Sequence, residues 1–439
     1  MSTKPAARCF LEEEARGLLT RLAKVESFAL HETMVPAASL TPTAQIAIEK
    51  FLVHGRQVLR GRVHAFLRWL RGPGAHAPAS VQQRQFTLIR LGFNNVLSQF
   101  DMFTEVITQR SENRTGVWLS GLDVLATDAL SLPGGALDAP PVICYLARGP
   151  GAAIRRARTR MPGGDLNPVA IVRVPRERMI GYGIGSSLIH EVGHQAAALL
   201  GLVESLRAEM APRVAAQPKS PWADWNRWIS EIVADLWSVS KLGISSTMGL
   251  MGVVSLPKVF VFRHGGADPH PIPWIRVRLS AAIGDALYPH PQWRRLSQLW
   301  GDLYPVAGLP PKQAAMIQQL DAAIPEFVAM LLAHKPKSLH GRSLGTALHR
   351  NDRDPRTLLA HFRRATTQRG VWEHIGPTDV LAILGQARAA SAVTPEQESE
   401  ILTRLLTLWA LRSSLDISTM CAEHASSIKA SRRALLAAA

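Results

Sequence analysis

Apolar side chains recur at every third or fourth position over much of this chain, the period of helices with one buried face. Residues 8–33 predict a first helix. Thr41-Pro42 opens a second that runs to about Arg71, with Ile46, Ile48, Phe51, Leu52, Val58, Leu59, Val63, Phe66, Leu67 and Leu70 on its buried side. The break GPGAHAP, ending at Pro78, separates it from a third helix over about Val81 to Arg110. From Thr115 to Pro175 the pattern changes. Gly and Pro become dense, and two β-type runs appear, Val142 to Ala147 and Val169 to Val174. Helical spacing returns at Ser186 to Gly201 and at Trp225 to Ser238. The spacing of Trp222, Trp225, Trp228 and Trp237 predicts core packing. Beyond Trp293 the chain reads as helices, with starts at Pro310-Pro311 and Thr394-Pro395, and Pro325 in or near the end of the former. The predicted class is α+β, mainly α, in three parts: a helical region at 1–114, a core with a small antiparallel or mixed sheet at 115–292, and a helical region at 293–439.

Composition narrows this picture. At 47% hydrophobic over 439 residues, the chain is a folded protein with a sizeable core. Its 50 Lys and Arg exceed its 34 Asp and Glu, giving +16. That excess is spread along the chain, with no basic block and no zinc-knuckle, basic-zipper or RNA-binding signature. It predicts a possible acidic partner and no specific nucleic acid. Cys9, Cys144 and Cys421 are distant and odd in number, which predicts a reducing compartment and no disulfide framework. The N-terminal residues lack the apolar core of a signal peptide. The most apolar run, Met248 to Phe262, is broken at Pro257-Lys258 and is shorter than the roughly 20 residues a bilayer needs. The expected location is cytoplasmic, without a transmembrane segment.

The chemistry concentrates in two of the helices. SSLIHEVGHQAAALLG places His190, Glu191 and His194 as H-E-x-x-H. Residues four apart share a helix face, so two imidazoles can converge on one metal ion while Glu191 reaches a water held there. Chance alone gives this pattern in a chain of this composition with odds of roughly a few per cent. A catalytic zinc needs a third protein ligand. In WNRWISEIVADLWS, Glu231 and Asp235 lie one turn apart within an apolar helix, where unpaired carboxylates are costly. Glu231 is the candidate third ligand, and Asp235 the acceptor that orients a ligand imidazole. A solvated acidic stripe is the plain alternative.

HEVGH at 190–194 followed by EIVAD at 231–235 resembles the gluzincin metallopeptidases. The E-x-x-A-D form with a later His-Pro segment is closest to the CAAX-prenyl-protease and heat-shock endopeptidase group, without that group's membrane helices. The resemblance covers roughly residues 140–290. It implies a zincin-like core with an active-site helix pair, a zinc ion on His190, His194 and Glu231, Glu191 as general base, and a peptide or protein substrate. A peptidase of this kind needs a donor for the developing oxyanion. In DPHPIPWIRVRLS the resemblance favours His270, with Arg276 next and Tyr182 and Tyr288 also available. In zincins an edge strand pairs with the substrate backbone, and Val169, Ile171 and Arg173 are the candidates here. Between the two β-type runs, IRRARTRMPGG carries Arg155, Arg156, Arg158 and Arg160, either an anion clamp or a solvated loop. The alternative to a peptidase is a catalytically silent zincin-fold scaffold that acts through its helical regions.

Overall fold

The structure, a computed structural model, describes residues 6–25, 28, 34–132, 137–149, 151–161, 164–176, 181–265, 268–368 and 370–437. The contacts divide the chain into two compact units. One comprises Met1–Ser120, Ala157–Ala170 and Leu411–Ala439, and the other Gly121–Arg156 and Ile171–Ala410. This grouping differs from the three consecutive parts expected, because most of the chain after residue 293 joins the unit that holds both motif helices.

In the first unit α1 (Ala6–Ala23), α2 (Pro42–Arg71) and α3 (Ala79–Thr108) pack on one another. Leu11, Leu18, Leu59, Val63, Phe66, Phe86 and Phe93 interlock between them. The expected extension of α1 to residue 33 lies largely outside the described residues. Thr41 caps α2 by accepting from the Ala44 N–H, and Pro42 sits where a missing N–H is harmless. After α3, α4 (Asn113–Ala129) leads towards the strands.

The second unit begins with β1 (Val142–Ala147), β2 (Ala153–Arg155) and β3 (Ala170–Pro175), a mixed sheet in the order β1-β3-β2. β2 runs antiparallel to β3, with Ala153 opposite Arg173 and Arg155 opposite Ile171. The order corrects one expectation. The run at 169–174 forms the central strand, not the edge. Ala170, Ile171, Val172 and Val174 are all buried, and an unbroken apolar run is what a strand covered on both faces requires. The edge falls to β2, in the stretch that reads as an arginine-rich loop.

Among the described residues twelve α-helices follow: α5 (Tyr182–Leu200), α6 (Leu202–Ala216), α7 (Pro221–Leu242), α8 (Ile244–Val254), α9 (Lys258–Val261), α10 (Pro273–Leu287), α11 (Pro291–Leu303), α12 (Pro311–Ala333), α13 (Leu344–Leu348), α14 (Pro355–Thr367), α15 (Pro377–Ala389) and α16 (Pro395–Ala437). α7 is the axis of this unit. It packs against α5, α6, α8, α10 and α15. Every residue from Glu231 to Leu242 is buried, and Trp222, Trp225, Trp228 and Trp237 are core residues as expected. A helix buried all round must be apolar except where a polar group has a partner. Lys241 meets that condition: it donates to the Ser131 carbonyl and lies over the Trp237 ring. Burial and the nearby Arg350 still push its pKa down to about 8. At the end of α12, His334 joins Ser205 and Glu209 of α6, a polar clamp between two helices.

Pro325 lies inside α12 rather than at its end. Among the described residues α12 is also the helix long and apolar enough to cross a membrane. It packs on α10, where its Asp321 accepts two hydrogen bonds from Arg278 at 2.7 and 2.8 Å.

Candidate metal centre

The site forms where α5 crosses α7. α5 runs through the H-E-x-x-H stretch and stops at Gly201, whose φ of 61° suits a residue without a side chain. Halfway along, Gly193 sits against α7. A Cβ added there would lie 2.9 Å from the Ala234 Cα and 3.0 Å from the Trp237 Cβ. The absent side chain lets the two backbones approach closely, and that approach brings Glu231 to both histidines.

His190 Nε2 lies 3.2 Å from Glu231 Oε2, and His194 Nε2 lies 3.5 Å from Glu231 Oε1. The three side chains offer ligand atoms within 4.8 Å of one another and could hold a metal ion. Donors on a tetrahedral ion at about 2.1 Å stand about 3.4 Å apart, so these separations fit one. The next layer fits as well. Asp235 Oδ1 lies 2.8 Å from His190 Nδ1, a contact that would fix Nδ1 as the protonated nitrogen and leave Nε2 as the one a metal would take. Arg276, from α10, donates to Asp235 through Nε at 2.7 Å and Nη2 at 2.9 Å. Ser230 Oγ lies 3.4 Å from His194 Nδ1.

The electrostatics follow from this layout. Burial disfavours a charged His190, but Asp235 on one nitrogen and Glu231 on the other outweigh it and raise the imidazole to about 9. Burial would likewise raise Glu231, yet the two imidazoles hold it well below the usual carboxylate range. For Asp235 the Arg276 and His190 charges overcome burial and bring it to about 2. Burial works against the Arg276 charge, and Asp235 more than restores it. Two carboxylates around one imidazole favour positive charge at this point, and a dication supplies it as well as a proton does.

His190, His194, Glu231 and Asp235 thus come together as the spacing predicts, with half-buried Glu191 on the same helix. His270 also reaches the site, its Nε2 standing 3.3 Å from Glu231 Oε2. It is oriented by Asp268, whose Oδ1 accepts from the His270 backbone N–H at 3.0 Å and lies 2.8 Å from Nδ1. Sequence reasoning missed Asp268 and Ser230. An Asp two residues before a His, in a proline-rich turn, is the local pattern that could have flagged the first. Nothing local marks Ser230.

Three expected roles meet a different geometry. Arg276, expected as an oxyanion donor, directs Nε and Nη2 at Asp235 and so stands behind His190. The Tyr288 hydroxyl donates to the Ser240 carbonyl inside the core, and the Tyr182 side chain lies outside the described residues. Val169 and Ile171 are buried, and Arg173 donates to the Gly151 carbonyl. These three side chains are therefore not presented as an open substrate edge.

Comparison with known protein families, with characterised proteins and with solved structures gives no match to this chain. The centre is defined by its own geometry: half-buried His190 and His194 on a buried Glu231, with ligand-like separations and an Asp–Arg pair behind them.

Proposed function

We propose that this chain is a zinc-dependent peptide hydrolase of the gluzincin kind its motifs resemble. One observation carries the reading: His190, His194 and Glu231 converge from two crossing helices at tetrahedral-edge separations, with Glu191 on the same helix as the two histidines. Zinc held there would supply a Lewis acid and a water of lowered pKa.

The chain's own groups do the rest. Glu191 accepts the proton of the attacking water and returns it to the leaving amine. Asp235, clamped by Arg276, fixes the His190 tautomer. His270, held by Asp268, offers Nε2 as the donor for the carbonyl oxygen as charge builds on it. β2 is one edge of the sheet and packs on α5. An extended peptide added to β2 lies along the helix that carries Glu191. Among the described residues Cys9 and Cys144 form no disulfide, and the proposed setting is a reducing compartment.

Elemental analysis of the purified protein tests the metal: about one zinc per chain, lost in His190→Ala. Glu191→Gln should keep that zinc and lower peptide turnover by about 10²–10⁴-fold. Full activity in zinc-loaded Glu191→Gln would remove Glu191 as base. A folded wild type that refuses zinc would leave the scaffold reading in its place.

A further inference from the structure

Beside the triad lies a cavity of about 60 Å³, lined by Arg227, Trp228, Arg263, His264, Asp268 and His270. It opens off the face of α7 that carries Glu231, since Arg227 and Trp228 sit one turn before that ligand. His270 belongs to both places: it lines the cavity and stands 3.3 Å from Glu231.

Most of the charge in its walls is already committed. Arg227 Nη2 bonds Asp224 at 2.7 Å and lies 3.2 Å from His264 Nε2. His264 meets the Trp228 ring edge-on, 6.3 Å between centroids. Asp268 is bound to His270. Arg263 differs. Among the described residues its guanidinium makes no hydrogen bond or ion pair, and its charge is felt by Asp268 across the cavity. Ile272 and Pro273 complete the lining at the N-terminus of the 15-residue α10, where no side chain caps the helix. The helix dipole adds positive potential there. The surplus in the cavity is therefore positive.

We propose that this cavity is a subsite for a carboxylate of the peptide substrate, with Arg263 as the residue that selects it. The proposal rests on the peptide-hydrolase reading and adds the substrate's chemistry. At about 10–15 Å³ for one water, the cavity has room for about four to six waters, enough for a carboxylate and the methylene beside it. An acidic side chain and a free C-terminal carboxylate share that chemistry. A substrate lysine would meet Arg263 with like charge, and the one carboxylate in the walls, Asp268, is already engaged by His270.

The test is binding of fluorescent peptides to the full-length zinc-loaded protein, followed by anisotropy. Four peptides of equal length are compared: one with an internal Glu and an amidated C-terminus, one neutral with a free C-terminus, one neutral and amidated, and one with an internal Lys and amidated. A charge-assisted contact predicts that one of the first two binds about tenfold tighter than the neutral amide. Preference for the internal Glu assigns the pocket to a side chain, and preference for the free C-terminus assigns it to the chain end. Arg263→Gln should erase the preference and Arg263→Glu should turn it towards Lys, with circular dichroism confirming the fold of each. Arg263→Gln keeps the proposal testable if Arg263→Glu fails to fold. A wild type that binds all four alike overturns the proposal, as does a preference that survives Arg263→Gln. Hydrolysis is scored separately. Selective binding without cleavage sinks the hydrolase reading and keeps the subsite. Cleavage without selectivity does the reverse.

Discussion

Replacing Gly193 by alanine tests whether helix packing sets the metal geometry. The new Cβ would stand 2.9 Å from the Ala234 Cα and carbonyl oxygen and 3.0 Å from the Trp237 Cβ, where ordinary contact begins at 3.4 Å. Two of these neighbours are backbone atoms, which have no rotamer to adopt. α5 and α7 must therefore separate by about 0.5–1 Å, an overpacking that costs about 1–3 kcal/mol. Alanine returns about 1 kcal/mol of helix propensity. The net loss of stability is about 0–2 kcal/mol. The metal should register the change more strongly. Parting the helices stretches the 3.2 and 3.5 Å separations between the imidazoles and Glu231, and a ligand shell loosened on that scale loses about 10–100-fold in affinity. Gly252 on α8 is the control: it is exposed with nothing within 4 Å of an added Cβ. Gly252→Ala should gain about 0.5–1 kcal/mol and leave affinity alone. Urea melts and competition against a chromophoric zinc chelator read both quantities. Gly193→Ala that binds zinc like the wild type and melts like Gly252→Ala would refute the reasoning.

Three further outcomes follow from the same geometry. Asp235→Asn should bind zinc about 10–100-fold more weakly, since His190 and Arg276 lose their shared charge; equal affinity by chelator competition counts against Asp235 as the orienting group. His270→Gln should keep its zinc and lose about 10²–10³ in peptide turnover, whereas zinc lost in step would make His270 a ligand instead. Lys241 carries a stability signature. Its folded pKa of about 8 lies below the unfolded 10.5. Between those values the unfolded chain holds the extra proton, so stability rises with pH across the window. The wild type carries a penalty of roughly 3 kcal/mol below pH 8 that fades as pH rises to 10.5. Urea melts at pH 7.5 and pH 10 should show Lys241→Met losing most of that slope, and an unchanged slope would place the titration elsewhere.

The metal cluster was legible because a helix carries its own geometry. His190 and His194 are one turn apart by spacing alone, as are Glu231 and Asp235, and each pair stands among apolar neighbours that declare a helix. What spacing does not declare is which helices cross, and where. Gly193 holds that information, but a small residue between two histidines reads equally well as filler. The strands show the same limit. VAIVRV was recognisable as β, yet its place at the sheet's centre depends on β2, a three-residue strand in a run of arginines with no period to detect. Arg276 is visible in the sequence, but its pairing with Asp235, 41 positions away, is not. Asp268 was passed over because its importance comes from His270 reaching Glu231, a contact between elements.

The placement of the ligands in the middles of two core helices bears on how such a protein comes of age in the cell. Where α5 crosses α7, Gly193 closes on Ala234 and Trp237, a contact that needs no ion. His190 and Glu231 already balance one another's charge. If the centre takes the proposed zinc, synthesis and metal loading are separate events, unlike in small zinc modules whose fold waits for the ion. Under that proposal a cell short of zinc would hold the folded polypeptide ready for the ion, and a rise in zinc would need no new translation.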